Sequence, residues 1–234
     1  MDVIIQNISH SFKDRAVLTQ ITHSFPEKKI TTILGKSGSG KTTLLQIING
    51  MVKPKSGMVT AFGMSVDYDR LSELRIQMGY VIQQVGLFPH LNVQANISLL
   101  GKIKKLSADF INSRVSHLMN LVQLPLSHST KYPHELSGGE QQRIGLCRAM
   151  FLNPPVLLMD EPFGSLDYET KQGIYSHLEH IQKNEPRTII IVTHDWDEAI
   201  KLSDHFICLE NGKIKTSGGK NELMKAKNDY FETA

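Results

Sequence analysis

The sequence predicts an α/β fold with a largely parallel sheet, and three observations carry that prediction. Short apolar, β-branched runs at 156–160, 188–193 and 205–210 recur at intervals long enough to hold helices between them. A strand-like run at 29–34 leads directly into a glycine-rich turn, and the interval 93–151 has helical spacing with few β-branched runs. Taken along the chain, alternating apolar residues at 3–8 and 17–25 predict two early strands. Helix formers at 42–49, apolar at Leu44, Leu45, Ile47 and Ile48, predict a helix that Gly50 stops. Short strands are expected at 58–62 and 79–82, and Asn211-Gly212 between apolar runs predicts a two-residue hairpin.

The chain of 234 residues fits one large domain, or one domain with an embedded subdomain. Its net charge of +3, from 26 basic and 23 acidic residues, gives no concentrated basic character and does not argue for a nucleic-acid partner. The two cysteines, Cys147 and Cys208, lie in apolar contexts, which predicts buried structural thiols in a reducing compartment. The first residues lack the basic start and apolar stretch of a secretory signal, so export is not expected. The strongest apolar runs are far shorter than the roughly 20 residues needed to span a bilayer. The basic segment 101–105 reads as a solvated loop or helix face.

Residues Gly35, Lys36, Ser37, Gly38, Ser39, Gly40, Lys41 and Thr42 fit the phosphate-loop pattern of glycine, four residues, glycine, lysine, then serine or threonine. Glycines let backbone N–H groups converge on phosphate oxygens, and the following helix offers its positive end. Lys41 can reach β- and γ-phosphates, and the Thr42 hydroxyl can ligate magnesium. A buried-looking strand at 156–160 ends in adjacent acids, Asp160 and Glu161, at the edge where ligands collect in open α/β sheets. In a phosphate-loop ATPase, Asp160 would hold the magnesium shell and Glu161 would orient and deprotonate the attacking water. A second candidate anion cradle is Leu136-Ser137-Gly138-Gly139-Glu140 before a helical run, with Ser137 as N-cap and the two glycines presenting free N–H groups.

The phosphate loop, the LSGGE segment and the VLLMDE strand occur in the order and spacing of ATP-binding-cassette ATPase subunits, which the chain resembles over nearly its whole length. The resemblance implies a phosphate-loop NTPase cassette with an N-terminal antiparallel β part and a helical subdomain at about 93–151, within one domain spanning 1–234. It implies ATP and Mg2+, with Thr43 extending the phosphate contacts and Phe12 placed where the family stacks an aromatic on adenine. Gln83 resembles the Q-loop glutamine, which contacts magnesium and water and borders the membrane-subunit contact; Gln84 is the weaker candidate. Ser165-Leu166-Asp167 is similar to the D-loop, and His194 to the switch histidine that senses the γ-phosphate. Phe12 stands where tyrosine is commoner, Glu140 where glutamine is commoner, and Ser165 where alanine or another small apolar residue is commoner.

In such proteins two nucleotides are sandwiched in a homodimer, each between the phosphate loop of one chain and the LSGGE segment of the other. The resemblance therefore implies an ATP-state homodimer, transmembrane permease subunits, an external solute-binding protein and a peripheral place on the cytoplasmic face of the membrane. A soluble ATP-switched clamp on nucleic acid or ribosomes is the alternative; co-purification with a membrane protein separates the two. Segments 79–90, 132–136 and 142–145 look like the subunits of glycine betaine, choline and carnitine importers, which implies a small quaternary-amine cargo. Ending at Ala234, the chain is expected to lack the C-terminal regulatory domains that many of those subunits carry.

Overall fold

In chain order the elements are β1 (Val3–Phe12), β2 (Arg15–Phe25), β3 (Ile30–Leu34), α1 (Lys41–Ile48), β4 (Ser56–Ala61), β5 (Met64–Ser65), α2 (Leu71–Ile76) and β6 (Met78–Val81). Then come α3 (Val93–Ile103), α4 (Ala108–Leu121), α5 (Gly138–Met150), β7 (Val156–Asp160), α6 (Tyr168–Asn184) and β8 (Thr188–Val192). The chain closes with α7 (Trp196–Leu202), β9 (His205–Glu210), β10 (Lys213–Gly219) and α8 (Lys220–Glu232). This computed structural model describes residues 3–82, 86–164 and 166–232.

Among the described residues, β2-β1-β4-β5 form an antiparallel sheet and β10-β9-β3-β8-β7-β6 form the larger one. Within the larger sheet only β9 and β10 pair antiparallel, across Asn211 and Gly212, both at positive φ as a two-residue hairpin of this kind requires. The mainly parallel α/β sheet expected from the sequence is present. Its central strands are buried on both faces, and successive residues serve different cores. Leu157, Met159, Ile189 and Ile191 pack with the helices α3 to α6, whereas Val156, Leu158, Ile190 and Val192 pack with α1 and the antiparallel sheet. A smaller cluster of Leu34, Trp196, Phe206, Cys208 and Leu223 seats α7 and α8. The interval 93–151 holds α3, α4, α5 and two 3-10 turns, with no strand among the described residues.

Two short elements, α2 and β5, were not expected from the sequence. Helix α2 buries none of its residues. It rests its half-buried Leu74 on the core and Leu71 against Gly50, and polar ties add to this: Arg75 donates to the Gly50 carbonyl at 3.0 Å, and just ahead of the helix the Tyr68 hydroxyl donates to the Ile47 carbonyl at 3.1 Å. β5 is a two-residue exposed strand that pairs with β4, and the N–H of Val66 just after it donates to the Val59 carbonyl at 2.8 Å.

Glu198 is the exception to an apolar interior on α7. It is 3% exposed, and its Oε1 has no hydrogen-bond partner among the described residues. Burial, with the Asp195 carboxylate beside it, pushes its carboxyl up from 4.5 to about 8. The folded chain therefore keeps a proton that the unfolded chain has lost above 4.5, so the group's contribution to stability falls as pH rises toward about 8. Glu198→Gln, neutral throughout, should gain stability over the parent as pH rises from 5 to 8, by on the order of 2–4 kcal/mol at the upper end. Thermal midpoints of both chains at several pH values check this; a difference that does not change with pH contradicts it.

Candidate functional site

The site begins with strand register. Ile33 pairs with Val192 across β3 and β8, and Val192 pairs with Asp160 across β8 and β7. The three parallel strands therefore end level, and the segments that follow them, from Gly35, His194 and Glu161, leave the sheet side by side. Gly35 has φ of 152°, and a Cβ there would lie 2.4 Å from the Leu209 carbonyl and 2.6 Å from Ser39 Oγ, so only glycine lets the loop turn here. The loop wraps the Lys41 side chain. Lys41 is 5% exposed and donates from Nζ to the Gly35 and Lys36 carbonyls at 2.8 and 3.1 Å. Burial lowers its pKa, while Glu161 and Asp160 oppose that shift.

Thr42, the second residue of α1, donates from its hydroxyl to Asp160 Oδ1 at 2.9 Å, and Thr43 follows on the same turn. Burial raises the Asp160 carboxyl; the Thr42 hydrogen bond opposes this, Glu161 adds to it, and Lys41 opposes it again. Glu161 takes φ of 43°, a left-handed conformation that is strained for a side chain of its size, and its N–H is tied to the Val192 carbonyl at 2.9 Å. That turn aims the carboxylate between two nitrogens: Lys41 Nζ lies 4.0 Å from Oε1, and His194 Nδ1 lies 3.2 Å from Oε2. A cavity of about 480 Å³ opens here, lined by Gly35, Lys36, Ser37, Glu161, His194 and Trp196. Ser39 Oγ is buried beside the loop with no hydrogen-bond partner among the described residues.

Other residues singled out in the sequence lie in their own settings. Phe12 is 51% exposed at the end of β1, edge-on to His10 at 4.7 Å. Its hairpin reaches the phosphate loop, since a Cβ at Gly40 would meet Leu18 and the Val17 carbonyl. Ser137 is the N-cap of α5, and Glu140 returns to accept from Ser137 N and Oγ, both at 2.8 Å. Gly138 is exposed; Gly139 is buried so tightly that a Cβ would sit 2.4 Å from Thr170 Cγ2. Asp167 caps α6, accepting from Thr170 N at 3.0 Å and from its hydroxyl at 2.7 Å. The α5 cradle does not line the 480 Å³ cavity. Gln83, Gln84 and Ser165 lie outside the described residues. Trp196, the chain's single tryptophan, lines the cavity and was not singled out; its place two residues after His194 is the signal that could have found it.

The chain matches the ABC transporter family over residues 18–164, more than half of its length. It is 39% identical over 228 residues to the choline transport ATP-binding protein OpuBA of Bacillus subtilis, covering 97% of this chain and 60% of that protein. It is 38% identical over 225 residues to the glycine betaine uptake system ATP-binding protein YehX of Escherichia coli, covering 96% of this chain and 73% of that one. The sulfate/thiosulfate import ATP-binding protein CysA of Neisseria meningitidis is also 38% identical over 238 residues, with 100% of this chain and 66% of CysA covered. Among solved structures, the dimeric post-hydrolysis state of the ATP-binding cassette MJ0796 bound to ADP and Pi superposes with a TM-score of 0.83 at 29% identity, covering 93% of this chain and 98% of that one. By the family match and by these relatives, the chain belongs to the ABC transporter family.

Proposed function

We propose that the chain is the ATP-hydrolysing subunit of a membrane importer. The observation that carries this reading is a cavity lined by the phosphate-loop residues Gly35, Lys36 and Ser37 together with Glu161 and His194, with Lys41 4.0 Å from Glu161 and the Thr42–Asp160 pair directly behind it. The residues fit a triphosphate with Mg2+. Ser39 Oγ is a buried polar atom in want of a partner, and the Gly35 turn leaves no room for a side chain. Thr42 Oγ1 and Asp160 Oδ1 are hard oxygen donors at one point, the small protein share that magnesium takes when phosphates supply the rest. When bound, magnesium would neutralise charge on the phosphate oxygens.

The chain's own residues supply the remainder. Gly35, Lys36, Ser37, Gly38, Ser39, Gly40 and Thr43 hold phosphates by backbone and hydroxyl donors, and Lys41 exchanges its two carbonyl partners for phosphate oxygens. Phe12 offers an exposed ring for adenine. Glu161 accepts the proton of the attacking water, and His194 holds that carboxylate from its other side. Gln83 is read as a further contact to water and metal. Ser137, Gly138, Gly139 and Asp167 serve the nucleotide of a second chain, a reading supported by the dimeric cassette that this chain resembles.

In the same reading 1–234 is one cassette, and 93–151 is its helical subdomain. Among the described residues no helix is long and apolar enough to cross a membrane. On the names of its transport relatives, the chain is read as a peripheral subunit on the cytoplasmic face beneath separate permease subunits. A largely apolar groove of about 300 Å³, walled by Met51, Arg75, Tyr80, Phe88, Leu100 and Arg148, lies beside the strand that runs toward Gln83 and is the contact we assign to them. The cargo is read as a quaternary-amine osmoprotectant delivered by an external binding protein, on the names of the choline and glycine betaine relatives. A sulfate importer subunit of nearly equal identity is the competing comparison. The chain spans 60% of the OpuBA sequence, so what that whole protein does is carried over as proposal only.

Glu161→Gln keeps shape and hydrogen bonding but removes the base, so phosphate release should fall by ~10² or more while nucleotide binding survives. Near-normal turnover contradicts the role. The same variant should become dimeric with ATP and return to monomer without it, since each nucleotide bridges two chains; a monomer in light scattering at saturating ATP argues against the sandwich. With permease and binding protein reconstituted in vesicles, ATP-dependent uptake of betaine, choline or carnitine is expected. Uptake of sulfate in their place overturns the cargo and leaves the ATPase reading intact.

A further inference from the structure

We propose that Lys171 and Asp195 are positioning residues for His194, an ion pair that ties the turn bearing the histidine to the first turn of α6, which Asp167 caps. The inference rests on the ATPase reading above. Four observations support it. The Lys171 ammonium lies 3.4 Å from Asp195 Oδ2, and both side chains are largely shielded, 18% and 34% exposed. Asp195 Oδ1 is committed elsewhere, accepting from the N–H groups of Asp197 and Glu198 at 2.9 and 3.2 Å as the N-cap of α7. One carboxylate thus fixes the turn with one oxygen and anchors it to α6 with the other.

The residues on either side of His194 are also bonded to each other, because Asp195 N donates to Thr193 Oγ1 at 3.0 Å. The backbone around the histidine is therefore set, and its imidazole, 61% exposed, is left to face Glu161. Finally, Lys171 N donates to the Asp167 carbonyl at 3.0 Å, so Lys171 belongs to the same helical turn as Asp167. Burial raises the Asp195 carboxyl, but the Glu198 amide, Lys171 and the Asp197 amide outweigh it and hold the group below the usual range, as an anion fit to pair. The other ion pair joining these helices, Lys201 to Glu179 at 3.6 Å, is about half exposed on both sides and contributes little. The Lys171–Asp195 contact joins the Asp167 turn to the residue that follows His194, and so is placed to carry a displacement of that turn to the face of Glu161 from which water is activated.

The test uses the purified full chain and four variants: Lys171→Met, Lys171→Arg, Asp195→Asn and the Met/Asn double. Asparagine caps helices as well as aspartate, so Asp195→Asn removes the ion pair and keeps the α7 cap. Lys171→Met and Asp195→Asn should each lower kcat about tenfold while ATP affinity stays within about threefold, the pattern of a misplaced catalytic group. Lys171→Arg should stay within about twofold, and the double variant should be no worse than the poorer single, as expected for partners in one contact. Full activity of both single variants, multiplying losses in the double, or an arginine variant as poor as the methionine one each overturns the proposal. If Lys171→Met does not fold, Asp195→Asn and Lys171→Arg decide alone. Failure of the ATPase reading looks different: the unaltered chain and Glu161→Gln would then release phosphate equally.

Discussion

The register of one row of residues, Ile33, Val192 and Asp160 across β3, β8 and β7, is the constraint on which the site depends. Side chains alternate along a strand, so a slip of one residue in β7 would send Asp160 to the opposite face and separate it from Thr42. The slip is opposed by close packing of unlike side-chain shapes on both faces and by the burial it would force on the Asp160 carboxylate. Leu157 and Met159 belong to one core, Val156 and Leu158 to the other, and β8 is divided in the same way by Ile189 and Ile191 against Ile190 and Val192. The Thr42–Asp160 hydrogen bond, the Glu161 turn and the exit of His194 are therefore set by core packing together with the backbone ladder, in which Glu161 N donates to the Val192 carbonyl and Thr193 N to the Ile33 carbonyl.

That placement has an electrostatic consequence. Lys41 is buried between neutral carbonyls with two carboxylates nearby, and its lowered pKa records how poorly the loop alone solvates an ammonium. Asp160 is raised for the matching reason. Each group is better served by a charged counterpart than by the groups now around it, Lys41 by phosphate oxygens and Asp160 by a cation. A nucleotide with its metal satisfies both at once, which a free phosphate or a lone cation does not.

How much of this was legible in the sequence follows from the range over which each feature is encoded. The phosphate loop is a local device: glycines, lysine and threonine at fixed offsets, so Gly35 to Thr42 announce themselves within eight residues. The buried strands are equally local, through β-branched runs bounded by turn residues. Helix α2 was not legible because its six residues offer half-buried apolar positions such as Leu71 and Leu74 but no fully buried one, and long-range hydrogen bonds from Tyr68 and Arg75 to α1 and its end complete its hold. The Lys171–Asp195 pair joins residues 24 apart whose meeting depends on how α6 crosses β8, and no spacing rule reports that. Glu198 reads as an ordinary acidic residue in the first turn of a helix until its burial is known.

The second cradle shows why one chain is half of a machine on the proposed reading. Ser137, Gly138 and Gly139 sit at the start of α5, and Gly139 is pressed onto Thr170 in the first turn of α6. Thr170 in turn donates from both its backbone and its hydroxyl to Asp167. The cradle, the Asp167 cap, Lys171, Asp195 and His194 therefore form one unbroken run of contacts, although the cradle takes no part in the cavity where His194 meets Glu161. On that reading a phosphate held by the cradle would belong to another chain's loop, since this chain's own loop opens on the cavity lined by Glu161 and His194. Closure of a two-fold pair would complete both sites by the same interface. Each chain would then register its partner's nucleotide at Ser137 and its own at Glu161, through side chains that already touch.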